Sequence, residues 1–157
     1  MRLTSVIPFL LFVSCNISSS KQNSSLVEDI PKASDWLVAY FRQDNINLDY
    51  SLNSLKYIDD FFDKNAENGA PKNNSKLADS LGYKMFAISS YIGQVIIKTI
   101  PGSKWITDDN DPNGEVNIEV VTKDGGHLWP GQKVFKRFKN GSEDGLYSYA
   151  YMIINYK

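Results

Sequence analysis

A long apolar stripe between Lys76 and Thr99 is the feature that most constrains the fold of this chain. Gly82 and Gly93 interrupt the stripe, and a glycine inside a helix costs about 1 kcal/mol relative to alanine. We therefore expect another element to pack closely against one of these glycines. Apolar residues recur at helical spacing and predict one long helix at the centre of the fold; they are Leu77, Leu81, Met85, Ile88, Ile92, Val95 and Ile96.

Two shorter helices are predicted before this stripe. The first runs from Pro31 to about Gln43, with Ser34 as its candidate cap, and the second begins after a capping Ser51. The loop at residues 68–74, which is rich in Gly, Pro and Asn, ends the second helix. Both helices carry apolar residues at helical spacing, which are Trp36, Leu37, Tyr40 and Phe41, then Leu52, Leu55, Ile58, Phe61 and Phe62.

The pattern changes to short strands after residue 101. Strands are predicted at residues 104–107, 116–120 and 127–129, and the second of these alternates strictly between apolar and polar residues. Pro130 begins a short helix that ends near Gly141, and Ser142 begins a last helix whose tyrosine-rich sequence could also form a strand. This order predicts an α+β fold, in which N-terminal helices pack on a small antiparallel β-meander followed by one or two C-terminal helices.

The N-terminus resembles the signal of a bacterial lipoprotein. Residues 1–14 combine one basic residue with a short apolar run, which is typical of a cleaved signal peptide. The run is shorter than the roughly 20 residues that span a bilayer. Val13-Ser14-Cys15 is similar to the end of a lipobox, a resemblance that implies acylation of Cys15.

Cys15 is the only cysteine in the chain. An intramolecular disulfide or a cysteine metal site is therefore impossible, and acylation would remove the thiol from catalysis. The polar residues that follow predict a flexible tether over residues 15–30, ahead of a single domain at residues 31–157. Asn16 differs from the Asp that retains some lipoproteins in the inner membrane. We therefore expect a cell-envelope protein anchored to the outer membrane and facing the periplasm.

Three short segments of the domain carry a second resemblance. Residues 91–95 read Tyr-Ile-Gly-Gln-Val, residues 102–105 read Gly-Ser-Lys-Trp, and residues 134–141 form a basic segment ending in Asn-Gly. Together they resemble an uncharacterised family of small bacterial α+β domains, although Gln94 stands where that family has Glu. The resemblance implies a fold but no activity, because the family has no established one.

The charge balance indicates which partners to expect. The chain has 17 basic and 18 acidic side chains and a formal net charge of −1. A nucleic-acid partner is not expected, since nucleic-acid binding proteins present a strongly basic face. Membrane contact is expected only through the N-terminal lipid, and the partner of the domain is expected to be a protein or peptidoglycan.

The sharpest local pattern is the acidic stretch that ends at Gly114. Asp109, Asp111 and Asn113 place oxygen atoms at alternate positions, as in the first half of a calcium loop. The twelfth position of the loop, which should be a bidentate Glu, is Val120. One hypothesis is therefore a Ca²⁺ site, and no other cofactor is expected. The simpler interpretation is a polar hairpin loop in which Asn113 and Gly114 adopt positive φ.

Other candidate catalytic groups have simple structural interpretations. His127 is the only histidine, so any histidine relay would have to use it, but a surface or structural role at a strand edge is favoured. Possible acid–base carboxylates are more simply interpreted as parts of a solvated helix face or of the first turn of a helix; they are Asp59, Asp60, Asp63, Glu143 and Asp144.

Three tyrosines near the C-terminus are candidates for a partner surface. Tyr147, Tyr149 and Tyr151 alternate, so they cannot all face inward on one helix. The leading functional hypothesis is a non-enzymatic binding or accessory lipoprotein of the envelope. The alternatives are a periplasmic immunity protein against a toxin and a carboxylate-dependent hydrolase of envelope polysaccharide.

Overall fold

A computed structural model describes residues 25–155 and has an α+β fold, as predicted. Within this range there are six α-helices and two small antiparallel sheets. The helices are α1 (Leu26–Arg42), α2 (Leu55–Asn65), α3 (Leu81–Thr99), α4 (Gly114–Asn117), α5 (Pro130–Asn140) and α6 (Leu146–Asn155). The strands are β1 (Ala66–Glu67), β2 (Ala70–Pro71), β3 (Lys104–Ile106), β4 (Glu119–Val121) and β5 (His127–Leu128). Short 3₁₀ helices at Leu52–Ser54 and Ser142–Asp144 precede α2 and α6.

Helix α3 is the centre of the fold, which confirms the prediction from its apolar stripe. It packs most extensively against α1 and then against α5. From Met85 to Ile96 nearly every side chain is buried, so α3 is enclosed on most of its circumference. A helix that is apolar on most sides needs such a position in the interior.

Gly93 has the packing role that its place in the helix predicted. A Cβ atom at this position would lie 1.9 Å from Cη2 of Trp105 on strand β3. The indole ring therefore occupies the space that any larger residue would need. This contact fixes the three-stranded sheet against α3.

The first helix begins earlier than predicted. It starts at Leu26 rather than Pro31, so the last part of the predicted tether is helical and Ile30 is fully buried. Pro31 lies inside the helix, and Ser34 does not cap it. The Ser34 hydroxyl instead donates to the Tyr50 hydroxyl over 3.0 Å. Ser51 does cap as predicted, because its hydroxyl accepts the Ser54 amide over 3.3 Å ahead of α2.

The central helix begins later than predicted, at Leu81 rather than Lys76. The buried ammonium group of Lys84 donates to the carbonyl oxygens of Lys76 and Asp79, at 2.6 and 3.0 Å, and to the Asp79 carboxylate at 2.8 Å. These carbonyls are thereby held in a turn, and Ser80 takes a positive φ of 49° just before the helix. The loop between α2 and α3 also contains the unpredicted two-residue pairing of β1 with β2.

The strand predicted at residues 116–120 is only partly present. Residues up to Asn117 form the short helix α4, and the strand β4 covers Glu119–Val121. Ile118 and Val120 are buried as the alternation required, but Val116 is only partly buried. The order of the three-stranded sheet is β3-β4-β5, which is the predicted meander.

Helices α5 and α6 complete the domain, and the tyrosine-rich segment is helical rather than extended. Arg137 of α5 is 2% exposed and joins three elements. Its guanidinium donates to the carboxylates of Asp59 and Asp63, at 2.9 and 2.5 Å, while Asp59 also accepts the Leu146 and Tyr147 amides at the start of α6. Asp59 thus serves as a cap for α6 from another helix.

Candidate functional site

The three-stranded sheet has an inner and an outer face. Trp105 of β3 lies opposite Val120 of β4, which lies opposite Leu128 of β5, and all three side chains pack against the core. Because side chains alternate along a strand, their neighbours face away from the core. This outer face is formed by Lys104, Ile106, Glu119, Val121, His127 and the adjoining Trp129.

Trp129 is the half-exposed tryptophan on this outer face. It is 41% exposed and follows β5 directly, where the chain turns into α5. Its ring lies nearly parallel to the His127 imidazole, with centroids 6.2 Å apart and an angle of 23° between the planes. The two rings form an aromatic surface at the junction of the sheet with α5.

A pocket of about 210 Å³ adjoins this aromatic surface, and we call it the Trp129 pocket. Pockets for drug-sized ligands have volumes of about 300–1,000 Å³, so this one can enclose only one ring-sized group. Its walls come from β5, α5 and α6, all of which are regular elements. The lining residues are His127, Leu128, Trp129, Gln132, Lys133, Lys136 and Tyr149.

A carboxylate on the neighbouring strand holds His127. The Nδ1 atom of His127 is hydrogen-bonded to Oε1 of Glu119, one strand away on the same face. The carboxylate fixes the orientation of the imidazole ring. The Nε2 atom has no hydrogen-bond partner within residues 25–155. His127 therefore has the structural partner that its position at a strand edge suggested, and one ring nitrogen remains available.

The two lysines of the pocket have different surroundings. The Lys133 ammonium donates to the Asp144 carboxylate over 2.6 Å, and Asp144 also accepts the side-chain amide of Asn140 over 2.7 Å. The hydrogen bond from Lys133 holds the pKa of Asp144 below its usual value, and the positive charge of Lys136 adds a smaller effect. Lys136 is exposed and has no ion pair among the described residues.

Tyr149 of α6 also lines the pocket. Its ring lies 5.6 Å from the Lys133 ammonium, and burial raises the pKa of its hydroxyl to about 12. The hydroxyl is therefore protonated at neutral pH. It has no hydrogen-bond partner within the part of the chain that the structure covers. The Gln132 amide likewise has none there. An exposed aromatic ring with unpartnered donors beside it can bind a ligand that has both apolar and polar edges.

Comparison with known proteins gives no guide to this site. No protein-family model, no curated protein and no solved structure matches the chain. The resemblance to a family of small bacterial domains therefore stays a prediction. Function has to be inferred from the side chains themselves.

The three tyrosines predicted to form a partner surface do not lie together. Tyr149 lines the Trp129 pocket, whereas the rings of Tyr147 and Tyr151 face each other elsewhere on α6, with centroids 6.0 Å apart. Tyr151 is 46% exposed, and the Lys56 ammonium lies 4.4 Å from the centre of the Tyr147 ring. The helix therefore divides the three residues between two surfaces.

The stretch from Asp109 to Gly114 forms the wall of a separate open cleft of about 460 Å³. Asp109 accepts the Leu26 amide over 2.8 Å and so caps α1. Asp111 accepts the Asn113 amide and the side chain of Asn117, at 2.8 and 2.7 Å, which together lower its pKa. Between residues 25 and 155, no three His, Cys, Asp or Glu side chains are grouped to hold a metal ion. Calcium binding stays a prediction.

The alternative interpretation of this stretch was a hairpin loop, and the stretch does join the antiparallel strands β3 and β4; the predicted positive φ at Asn113 and Gly114 is wrong. Asn113 has a φ of −108°, and Gly114 is the first residue of α4. Gly114 is required for space, because a Cβ there would lie 2.7 Å from the Leu26 side chain and 2.9 Å from the carbonyl oxygen of Asp108. The loop thus packs against the start of α1.

The carboxylates considered for acid–base chemistry mostly have structural partners. Asp59 was predicted to lie on a solvated helix face, which is wrong, because its carboxylate is largely buried between Arg137 and the start of α6. Asp63 pairs with the same guanidinium, and Asp144 pairs with Lys133. The sequence contains no local sign of these pairs, since their members are 74, 78 and 11 residues apart.

The pocket residues Gln132, Lys133 and Lys136 were not identified from the sequence. The only available signal was their spacing of three and four residues on a predicted helix next to Trp129. Cys15 and the signal peptide lie outside the described residues, so neither prediction is tested by the structure. None of the helices between residues 25 and 155 combines the length and the apolar character that a membrane crossing requires.

Proposed function

We propose that this protein is a non-enzymatic binding lipoprotein of the bacterial cell envelope, anchored by Cys15, whose domain binds the glycan of peptidoglycan through the Trp129 pocket. The anchor would hold the domain at the outer membrane, facing the periplasm. Peptidoglycan is the extended polymer within reach of a protein tethered there. The pocket would bind one sugar ring while the rest of the polymer lies across the outer face of the sheet.

The observation that carries the proposal is the exposure of Trp129 beside unpartnered hydrogen-bonding groups. The other two tryptophans have structural roles, because Trp36 stacks on Tyr40 with centroids 5.0 Å apart and Trp105 fills the space above Gly93. A sugar ring has an apolar face and a polar edge. It can therefore cover the indole while its hydroxyl groups bond to Gln132 and Tyr149.

Placement on regular elements supports binding without large rearrangement. Trp129 follows β5, and the other polar residues lie on α5 and α6. The Lys133–Asp144 pair also links α5 to the 3₁₀ helix before α6. A site held in this way needs little ordering when the ligand binds, which favours affinity.

Replacement of Trp129 by alanine tests the proposal. Exposed tryptophans that stack on ligands are common hot spots, with losses of about 2 kcal/mol or more. We therefore expect Trp129→Ala to weaken binding to purified sacculi at least about tenfold, because about 1.4 kcal/mol corresponds to that factor. Binding is measured by co-sedimentation of the domain with sacculi over a range of concentrations.

Phe135→Ala is the matched control for this experiment. Phe135 is an aromatic residue of α5, the helix that Trp129 immediately precedes; it is 45% exposed and does not line the pocket. Its loss should leave binding unchanged. Absence of binding by the native domain, or equal binding by the native domain and both variants, would reject the proposed function.

The anchor is tested separately with Cys15→Ala in the full chain. Loss of the acylated cysteine should release the processed protein from the membrane fraction, since a tether without lipid has no membrane affinity of its own. Fractionation and immunoblotting of cells measure the result. A Cys15→Ala protein that is processed and still membrane-bound would refute the anchor, whatever the outcome with sacculi.

A further inference from the structure

We infer that the Trp129 pocket recognises an acidic glycan, and that Lys136 forms an ion pair with a carboxylate carried by the bound sugar or its attached peptide. This inference rests on the proposed function and makes it more specific. It assigns Trp129 to stacking on the ring and Lys136 to distinguishing an acidic glycan from a neutral one.

The distribution of charge in the pocket supports an anionic ligand. Each other basic side chain there has a partner within the chain: Lys133 pairs with Asp144, and the His127 ring is hydrogen-bonded to Glu119. Lys136 alone has no ion pair within residues 25–155. The pocket therefore has one positive charge that no contacting carboxylate neutralises, and a ligand carboxylate would complement it.

The helical spacing places this charge beside the proposed sugar position. Gln132 and Lys136 are separated by four residues on α5, so their Cβ atoms are about 6 Å apart on one side of the helix. Trp129 immediately precedes that helix. A ring stacked on the indole can therefore direct one edge towards Gln132 and a carboxylate substituent towards Lys136.

Peptidoglycan supplies such a carboxylate, whereas chitin does not. Peptidoglycan strands carry lactyl groups with attached peptides, and the peptides end in free carboxylates. Chito-oligosaccharides share the N-acetylated sugar and the linkage but are neutral. The same stacking on Trp129 is available to both, so their difference in affinity measures recognition of the acidic group.

The experiment compares soluble muropeptides before and after amidation of their carboxyl groups, with chitotetraose as a neutral probe. Exposed ion pairs contribute up to about 1 kcal/mol, which corresponds to about fivefold in affinity. We expect the native domain to bind the acidic muropeptides about three- to fivefold more tightly than the amidated ones. Isothermal titration calorimetry at two salt concentrations measures the affinities, and the preference should decrease at high salt.

Lys136→Gln should remove this preference, so that the variant binds the acidic and the amidated muropeptides with equal affinity. Lys139→Gln is the matched control, because Lys139 is an exposed lysine of the same helix that does not line the pocket. It makes the same change in net charge and should keep the preference. Circular dichroism of both variants checks that the fold is retained.

The possible outcomes separate the inference from the proposed function. If the native domain binds acidic and amidated muropeptides equally, and Trp129→Ala abolishes both, the inference is wrong and the proposed function stands. If Lys139→Gln reduces the preference as much as Lys136→Gln does, the attraction is a general effect of charge and the inference is also wrong. If the native domain binds none of the probes, both proposals fail.

Discussion

Arg137 and Lys136 are neighbours on α5 but belong to different environments. Arg137 is 2% exposed and donates to the side chains of Asp59 and Asp63 and to the main chain of Asp59. Lys136 is exposed and has no ion pair in the described region. One helix therefore presents an ion-paired guanidinium group to the interior and an ammonium group without an ion pair to the Trp129 pocket.

The tryptophans of the three-stranded sheet repeat this contrast. Trp105 lies on the inner face and contacts Gly93, whereas Trp129 lies on the outer face beside the pocket. Side chains that pack in the interior have a structural role, and their replacement should reduce stability. Side chains that are exposed at the pocket should be replaceable at little cost in stability, but at a cost in binding.

The largest effect on stability is expected for Arg137→Ala. Removal of one partner from a buried ion pair leaves an uncompensated charge and costs about 3–5 kcal/mol. Asp59 would also hold the start of α6 without its cation. We expect Arg137→Ala to lower the free energy of unfolding by about 3 kcal/mol, near the lower limit of this range. Urea unfolding monitored by circular dichroism measures it. Lys136→Ala should change the free energy of unfolding by no more than about 0.5 kcal/mol, and similar losses for the two variants would contradict the comparison.

A medium effect is expected for Gly93→Ala. The new methyl group would overlap the Trp105 ring, and overpacking of this kind costs about 1–3 kcal/mol. Gly82→Ala is the matched control on the same helix, because no atom outside its own helix and its chain neighbours lies within 4 Å of its added Cβ. That variant should be stabilised by up to about 1 kcal/mol. Thermal unfolding of both proteins measures the difference, and destabilisation of both by the same amount would show that Trp105 is not the cause.

The parts of the fold that were predicted correctly depend on local spacing. The apolar stripe of α3 and the Gly93 contact follow from a helical period and an unfavourable residue inside it. The cap at Ser51 and the helix beginning at Pro130 follow from residues at helix starts. Each of these signals is contained within a few residues, so tertiary contacts did not have to be known.

The parts that were missed depend on contacts between distant residues. The start of α1 is capped by Asp109, which is 83 residues away, and the start of α3 is displaced by the hydrogen bonds of Lys84. The candidate site was missed for the same reason. Only folding brings Tyr149 next to Trp129 and pairs Lys133, but not Lys136, with a carboxylate. The sequence contained the residue types of the pocket but not their grouping.

The smallest effect is expected for two hydroxyl deletions, Tyr91→Phe and Tyr149→Phe. The buried Tyr91 hydroxyl accepts the Tyr50 amide over 2.8 Å and is hydrogen-bonded to the Ser54 hydroxyl over 2.6 Å. An amide left without its partner costs about 1–3 kcal/mol. We expect Tyr91→Phe to lower the free energy of unfolding by about 1–2 kcal/mol at neutral pH, as measured by urea unfolding. Tyr149→Phe should lose almost nothing, because no hydrogen bond to its hydroxyl exists within residues 25–155.

Alkaline pH distinguishes this pair further. Burial raises the pKa of both tyrosines to about 12, above the usual value near 10. Because the unfolded chain releases the phenolic proton near pH 10 and the folded chain only near pH 12, unfolding becomes more favourable between these values. The folded state therefore keeps its full stability below pH 10 and loses stability as the pH rises towards 12. Each tyrosine then contributes a loss of up to about 2–3 kcal/mol. Tyr149→Phe, although neutral at pH 7, should therefore be more stable than the native protein above about pH 11. The ultraviolet absorbance of tyrosinate follows the alkaline unfolding of the native protein and of Tyr149→Phe. If both proteins unfold at the same pH, the Tyr149 hydroxyl is open to water and is a weaker candidate for binding a sugar.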